Sequence, residues 1–169
     1  ERRQLAQIDA HVSAHIVRER GLSIRSDFPW AENQVVTRVN EDESRCNAWF
    51  DEESTLNFVI QGQGCNNTAR VADVVYHEYG HGFHLWNIIP GAGGWGDGSL
   101  GEGLSDYMSA TITNSPDLAP GFFRQTNAPL RQLEGDYRWP EDIEDDPHQT
   151  GLIIASALWH LRDGLIAEY

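Results

Sequence analysis

Arg70-Val71-Ala72-Asp73-Val74-Val75-Tyr76-His77-Glu78-Tyr79-Gly80-His81-Gly82-Phe83-His84-Leu85-Trp86 is the stretch on which the reading of this chain turns. Val71, Val74, Val75, Tyr79, Phe83 and Trp86 recur at helical spacing, which predicts one helix over residues 70–86. Asn67 or Thr68 stands where such a helix takes its cap. Inside it lies His77-Glu78-Tyr79-Gly80-His81. Positions i and i+4 of a helix share a face, one turn apart. Both imidazoles can therefore reach one tetrahedral Zn2+. Glu78 is offset around the helix, so it can stand beside a metal without binding it and take a proton from a metal-bound water. Gly80 and Gly82 are poor helix formers, and their small size predicts that another segment packs closely there.

A catalytic zinc takes three protein ligands and leaves a fourth position open. In a HExxHxxGxxH pattern the third ligand would be a His at 87, with a Gly at 84. Here those residues are Asn87 and His84. A carboxylate from a later helix is the other route, and Gly101-Glu102-Gly103-Leu104-Ser105-Asp106 supplies it at the start of a helix predicted over 103–113. Glu102 is the leading third ligand, and Asp97 in the preceding Gly-rich stretch is the other candidate. Asp106, one turn after Glu102, can accept a hydrogen bond from the far nitrogen of a zinc-bound His, foremost His77, fixing the ring and its tautomer. Without the histidine pair, Glu102 and Asp106 would read as acids favoured by a helix N-terminus.

Upstream, residues 4–20 read as an amphipathic helix with Leu5, Ile8, Val12 and Ile16, and Ala6 beside them, at helical spacing and Gly21 as its stop. Residues 35–39, 47–50 and 56–60 read as strands, the last two joined as a hairpin by the acidic turn 51–54. Downstream, 90–103 is Gly-rich and 114–148 irregular. Residues 150–166 read as a last helix with Leu152, Ile153, Ala157, Leu158 and Leu161 on one side. Strands come early and helices late, which predicts an α+β domain. A small sheet lobe over about 1–86 would precede a mostly helical lobe over about 87–169. The chain begins at Glu1 and stops inside a helical pattern. We therefore expect an excised piece of a longer protein, with other domains among its partners and the helical lobe incomplete.

The formal net charge is −14, which opposes binding to nucleic acid or to anionic membranes. No apolar run approaches the roughly 18 residues of a membrane span. Acidic clusters at 41–43, 51–53 and 141–146 are solvated loops or, alternatively, Ca2+ sites. Cys46 and Cys65 form no CxxC pair. They are either two free thiols or a bridge contributing on the order of 3 kcal/mol, which would place the chain outside the cytosol, secreted or extracellular. Asn66-Asn67-Thr68 is a glycosylation sequon. His11 and His15 repeat the i, i+4 spacing without an acid between them and read as solvent-exposed. His84 and His160 read as packing or surface residues.

His77-Glu78-Tyr79-Gly80-His81 followed by Gly101-Glu102-Gly103-Leu104-Ser105-Asp106-Tyr107 resembles the gluzincin metallopeptidases, in particular the fungalysin and thermolysin-like families. The resemblance covers about residues 35–160 and implies a zincin-like fold with one catalytic Zn2+. Cys46-Asn47-Ala48-Trp49-Phe50 is similar to the family's edge strand, whose Asn-Ala pair binds the substrate backbone. That role would fall on Asn47 and Ala48. Asp146-Pro147-His148-Gln149-Thr150-Gly151 is similar to the family's late helix start, whose His stabilises the oxyanion. That role would fall on His148. The family's Tyr after the metal helix has no counterpart between Asn87 and Leu100, so either Trp95 or Tyr107 replaces it or the role is missing. The implied activity is that of a zinc-dependent endopeptidase on a peptide or protein substrate, with Glu78 as general base. The alternative is a catalytically inactive zinc-binding module that recognises peptides.

Overall fold

The computed structural model describes residues 2–42, 46–87 and 98–169. It is an α+β arrangement: α1 (Arg2–Ile24), α2 (Pro29–Glu32), β1 (Thr37–Glu41), β2 (Ala48–Phe50), β3 (Leu56–Val59), α3 (Ala72–Asn87), α4 (Gly98–Thr113), β4 (Asp117–Leu118), β5 (Arg131–Gln132) and α5 (Pro147–Glu168). β3 is central in a three-stranded sheet, parallel to β1 and antiparallel to β2. β2 is therefore an edge, and its ladder pairs Ala48 with Phe58 and Phe50 with Leu56.

The β2–β3 hairpin closes on Asp51. Its carboxylate accepts the backbone N–H groups of Glu53 at 3.0 Å and Thr55 at 2.9 Å, and the Asn57 amide at 2.9 Å. This is the turn chemistry for which a short acidic side chain is suited. The carboxylate is thus engaged by its own turn and by Arg38. In the last acidic stretch Asp142 accepts from Arg138 N–H, and Asp146 caps α5. Among the described residues neither acidic stretch gathers three metal-ligating atoms, so the calcium expectation finds no assembled site there; Glu43 lies outside them.

Strand β1 runs over 37–41, two residues later than expected, with an irregularity between Val39 and Glu41 where Asn40 takes φ 64°. The larger correction concerns α1. Ile8 and Val12 are exposed, at 58% and 50%, and Leu5 and Ile16 face solvent with them. The buried face carries Ala6, Ala10, Ser13 and Val17. Small residues mark the inner face because α1 lies close against α3 and the sheet. At Gly21 a Cβ would come within 3.2 Å of the Phe83 ring, so this glycine is a contact point within a helix that runs on to Ile24, not its stop. On α5 the buried residues are Gly151, Leu152, Ala155, Ser156 and Trp159. Ala157 and Leu161, expected inside, are exposed.

Behind the edge strand sits an aromatic cluster. Trp30 meets Tyr79 at 4.7 Å and Phe50 at 5.9 Å between ring centroids, and Phe28 meets Phe83 at 4.9 Å. Such contacts contribute about 0.5–1.5 kcal/mol each beyond area burial. They fasten α3 to β2, which fixes the distance between that helix and the strand. Cys46 and Cys65 are bridged. The bond ties the residue before Asn47 to the segment entering α3. Among the described residues no helix is long and apolar enough to cross a membrane.

Candidate metal centre

Three helices meet at backbone distance because glycines let them. On α3, a Cβ at Gly80 would fall 2.9 Å from the Cα of Ser105 on α4. Between α4 and α5, a Cβ at Gly103 would run into the backbone of Gly151, and one at Gly151 would lie 2.8 Å from the Gly103 nitrogen. These contacts bring His77, Glu78 and His81 of α3, Glu102 and Asp106 of α4, and His148 of α5 to one place.

The Nε2 atoms of His77 and His81 are 3.1 Å apart. Glu102 Oε2 lies 3.0 Å from the first and 3.6 Å from the second. Ligands about 2.0–2.1 Å from a tetrahedral ion stand about 3.3–3.4 Å from one another, and the three distances bracket that value. Asp106 Oδ1 lies 2.7 Å from His77 Nδ1. That carboxylate is itself held by Arg131, whose Nε and Nη2 donate to its two oxygens at 2.7 Å and 2.6 Å. With Nδ1 committed to Asp106, His77 Nε2 is the nitrogen left facing the centre, able to take a metal in place of a proton. Glu102 Oε2 is buried and receives no well-formed hydrogen bond. Two imidazole nitrogens and a carboxylate oxygen converging in this way form a donor set that calls for a cation, and the His-His-Glu group could hold a metal ion.

The electrostatics agree. Burial opposes charge on His77, but Asp106, Glu102 and Glu78 around it lift its pKa to about 10. Burial would also raise Asp106, yet His77 and Arg131 hold it down to about 2. Glu102 is drawn well below the usual carboxylate range, because His77 and His81 outweigh its burial. Glu78 goes the other way: burial raises its pKa, with His77 and His81 only partly offsetting it. Of the two acids beside the histidines, one stays ionised and the other holds a proton more readily.

His148 reaches the centre from the first turn of α5. Its Nε2 lies 3.3 Å from Glu102 Oε2. Asp146 accepts from both its backbone N–H at 3.0 Å and its Nδ1 at 2.9 Å. Facing the metal group across a cleft of about 400 Å3 is the edge strand, with Asn47, Ala48, Trp49 and Phe50 on its wall and His84 on the opposite side. Asn47 is fixed by its carbonyl, which accepts the Thr68 hydroxyl at 3.1 Å. Tyr107 does not face this cleft; it lines a different pocket with Ile24, Phe83 and Met108. Trp95 and Asp97 lie outside the described residues.

No protein-family model matches the chain, and no curated protein matches it. The case for the site rests on its own geometry. That geometry also includes two residues without a role in the sequence reading. Asp146 stood two positions before His148 in the quoted motif, and its capping position was the available signal. Arg131 sits in the irregular stretch with no spacing relation to α4, so nothing local marked it.

Proposed function

We propose that this chain is the catalytic part of a zinc-dependent endopeptidase of the gluzincin type, with a zincin-like core. The observation that carries the reading is the convergence of His77 Nε2, His81 Nε2 and Glu102 Oε2 at near-tetrahedral separations, with Glu78 buried beside them. His and Glu donors in that number suit zinc with one position open, whereas closed structural sites are built mainly from Cys. Bound there, zinc would polarise a scissile carbonyl and lower the pKa of a water.

The remaining steps fall to the chain's own side chains. Glu78 takes the proton of the attacking water and delivers it to the leaving nitrogen. Burial raises its pKa, which makes it a readier proton acceptor than an exposed carboxylate. His148, held at Nδ1 by Asp146, presents Nε2 to donate a hydrogen bond where negative charge develops on the carbonyl oxygen. The open edge of β2 holds an extended peptide by strand addition, with Asn47 and Ala48 on its path. Arg131 holds Asp106 through two hydrogen bonds and, with His77, keeps that carboxylate ionised.

The disulfide favours an oxidising, extracellular setting for this enzyme. The test is Glu78→Gln measured against the native chain on a mixed peptide library, with metal content determined in both. Turnover should fall by about 10²–10⁴-fold with zinc retained. Undiminished cleavage by the variant would refute the mechanism. Zinc binding without cleavage by the native chain would favour a peptide-recognition module.

A further inference from the structure

A second pocket, of about 260 Å3, opens off the metal centre and shares Asn47, Ala48, His77, Glu78 and His148 with the cleft. Beyond those shared residues its walls combine apolar Val74, Leu118, Phe122 and Leu130 with polar Asp73, Arg131, Asp146 and Gln149. A pocket in this position receives a side chain that flanks the bond held over Glu78.

Its inner wall also carries Asp73, the second residue of α3, which is only 9% exposed. One carboxylate oxygen accepts the Ala119 N–H at 2.8 Å. Backbone amides are the groups that lower its pKa, and burial outweighs them and raises it. Among the described residues no cationic side chain forms an ion pair with Asp73. The guanidinium in the same pocket belongs to Arg131, and both oxygens of Asp106 already engage it. Asp73 is thus a nearly buried carboxylate with no ion-pair partner among the described residues, on the wall of a mixed polar and apolar cavity next to the reacting groups. Buried charges lacking a partner are costly, and a partner brought by a ligand recovers part of that cost. At longer range the net charge of −14 attracts the same class of ligand.

We propose that this pocket selects a lysine or arginine side chain next to the cleaved bond, and that Asp73 is the residue determining the preference. The proposal rests on the endopeptidase reading above and assigns it a substrate class, basic peptides. The apolar part of the wall packs the aliphatic stem of the guest, and Asp73 receives its charged end.

The test compares the zinc-loaded native chain with Asp73→Asn on matched peptides that differ only in Lys, Arg, Leu or Glu at each position. The Asn side chain keeps an oxygen for Ala119 N–H, so the fold retains that contact while the charge is lost. We expect kcat/KM for Lys or Arg to exceed that for Leu by at least about tenfold at one position beside the cut, and the variant to lose most of that ratio. A native chain that cleaves without this preference, or a variant that keeps it, overturns the inference and leaves the peptidase reading intact. Absence of any cleavage counts against the peptidase reading instead. The pocket is then judged by titrating both proteins with n-butylammonium and with n-pentanol. Tighter binding of the cation by the native chain alone supports the pocket's preference, and equal binding by the two proteins overturns it.

Discussion

Two helices of this chain carry histidines at i and i+4, and their rings are placed almost alike. His11 and His15 on α1 lie 4.6 Å apart, edge to face, and His77 and His81 on α3 lie 4.7 Å apart, also edge to face. Everything around them differs. The α1 pair is exposed, and no carboxylate joins it in a metal-binding group among the described residues. The α3 pair is met by Glu102, and behind His77 stand Asp106 and then Arg131. Helical spacing sets the distance between two rings at no cost. What turns such a pair into a site is a second helix close enough to add a carboxylate, and that closeness depends on Gly80 against Ser105.

The comparison can be broken most severely at the metal itself. His81→Ala should abolish stoichiometric zinc, measured by elemental analysis after dialysis; retained zinc would mean that the donors are not those named here. Asp106→Asn should weaken zinc by about 10–100-fold, since it leaves the donors in place but frees the His77 ring. Competition with a chromophoric chelator measures this. In that variant Arg131 also loses its ionised partner, so some loss of thermal stability accompanies it.

Acidity offers a milder probe. In metal-free protein the pKa of His77 is raised from 6.5 to about 10. A raised folded-state pKa adds stability that is complete below pH 6.5 and lost as pH climbs towards 10. The melting temperature of the chelator-treated chain should therefore decline over that interval. The zinc-loaded chain, whose His77 Nε2 is no longer available to a proton, should lack this component. Parallel melting curves for the two forms would contradict the assignment. The smallest effect is reserved for α1: His15→Ala should change stability by no more than about 0.5 kcal/mol and leave zinc content untouched.

How much of this was legible depends on the distance over which the cause acts. The helix carrying His77 and His81 announced itself because periodicity and motif lie within some sixteen consecutive residues, although Asn67 caps a separate 3-10 turn, Thr68–Arg70, and the helix itself begins at Ala72. Glu102 and Asp106 could be ranked because they share one turn of one helix. The inner face of α1 was misread because large apolar residues were taken to mark the buried side; of the residues named for it only Ala6 is buried, and close packing adds Ala10 and Ser13. Arg131 escaped notice because its reason for being there is a contact 25 positions back in the chain. The Gly103–Gly151 contact, which brings His148 to Glu102, was equally hidden. Neither Gly103 nor Gly151 had a packing role in the sequence reading, and only the packed pair explains them.

The bond between Cys46 and Cys65 encloses the whole β2–β3 hairpin, including the exposed acidic turn at its tip. A chain severed at that turn would thus remain one molecule. The two halves of the hairpin would stay joined through sulfur as well as through the ladder from Ala48 to Phe50, and the edge strand would keep its place beside the metal ligands. Such a nick would be invisible on a non-reducing gel and would appear as two fragments only once the sulfur link was opened. A covalent loop around one wall of the cleft is thus a form of damage tolerance.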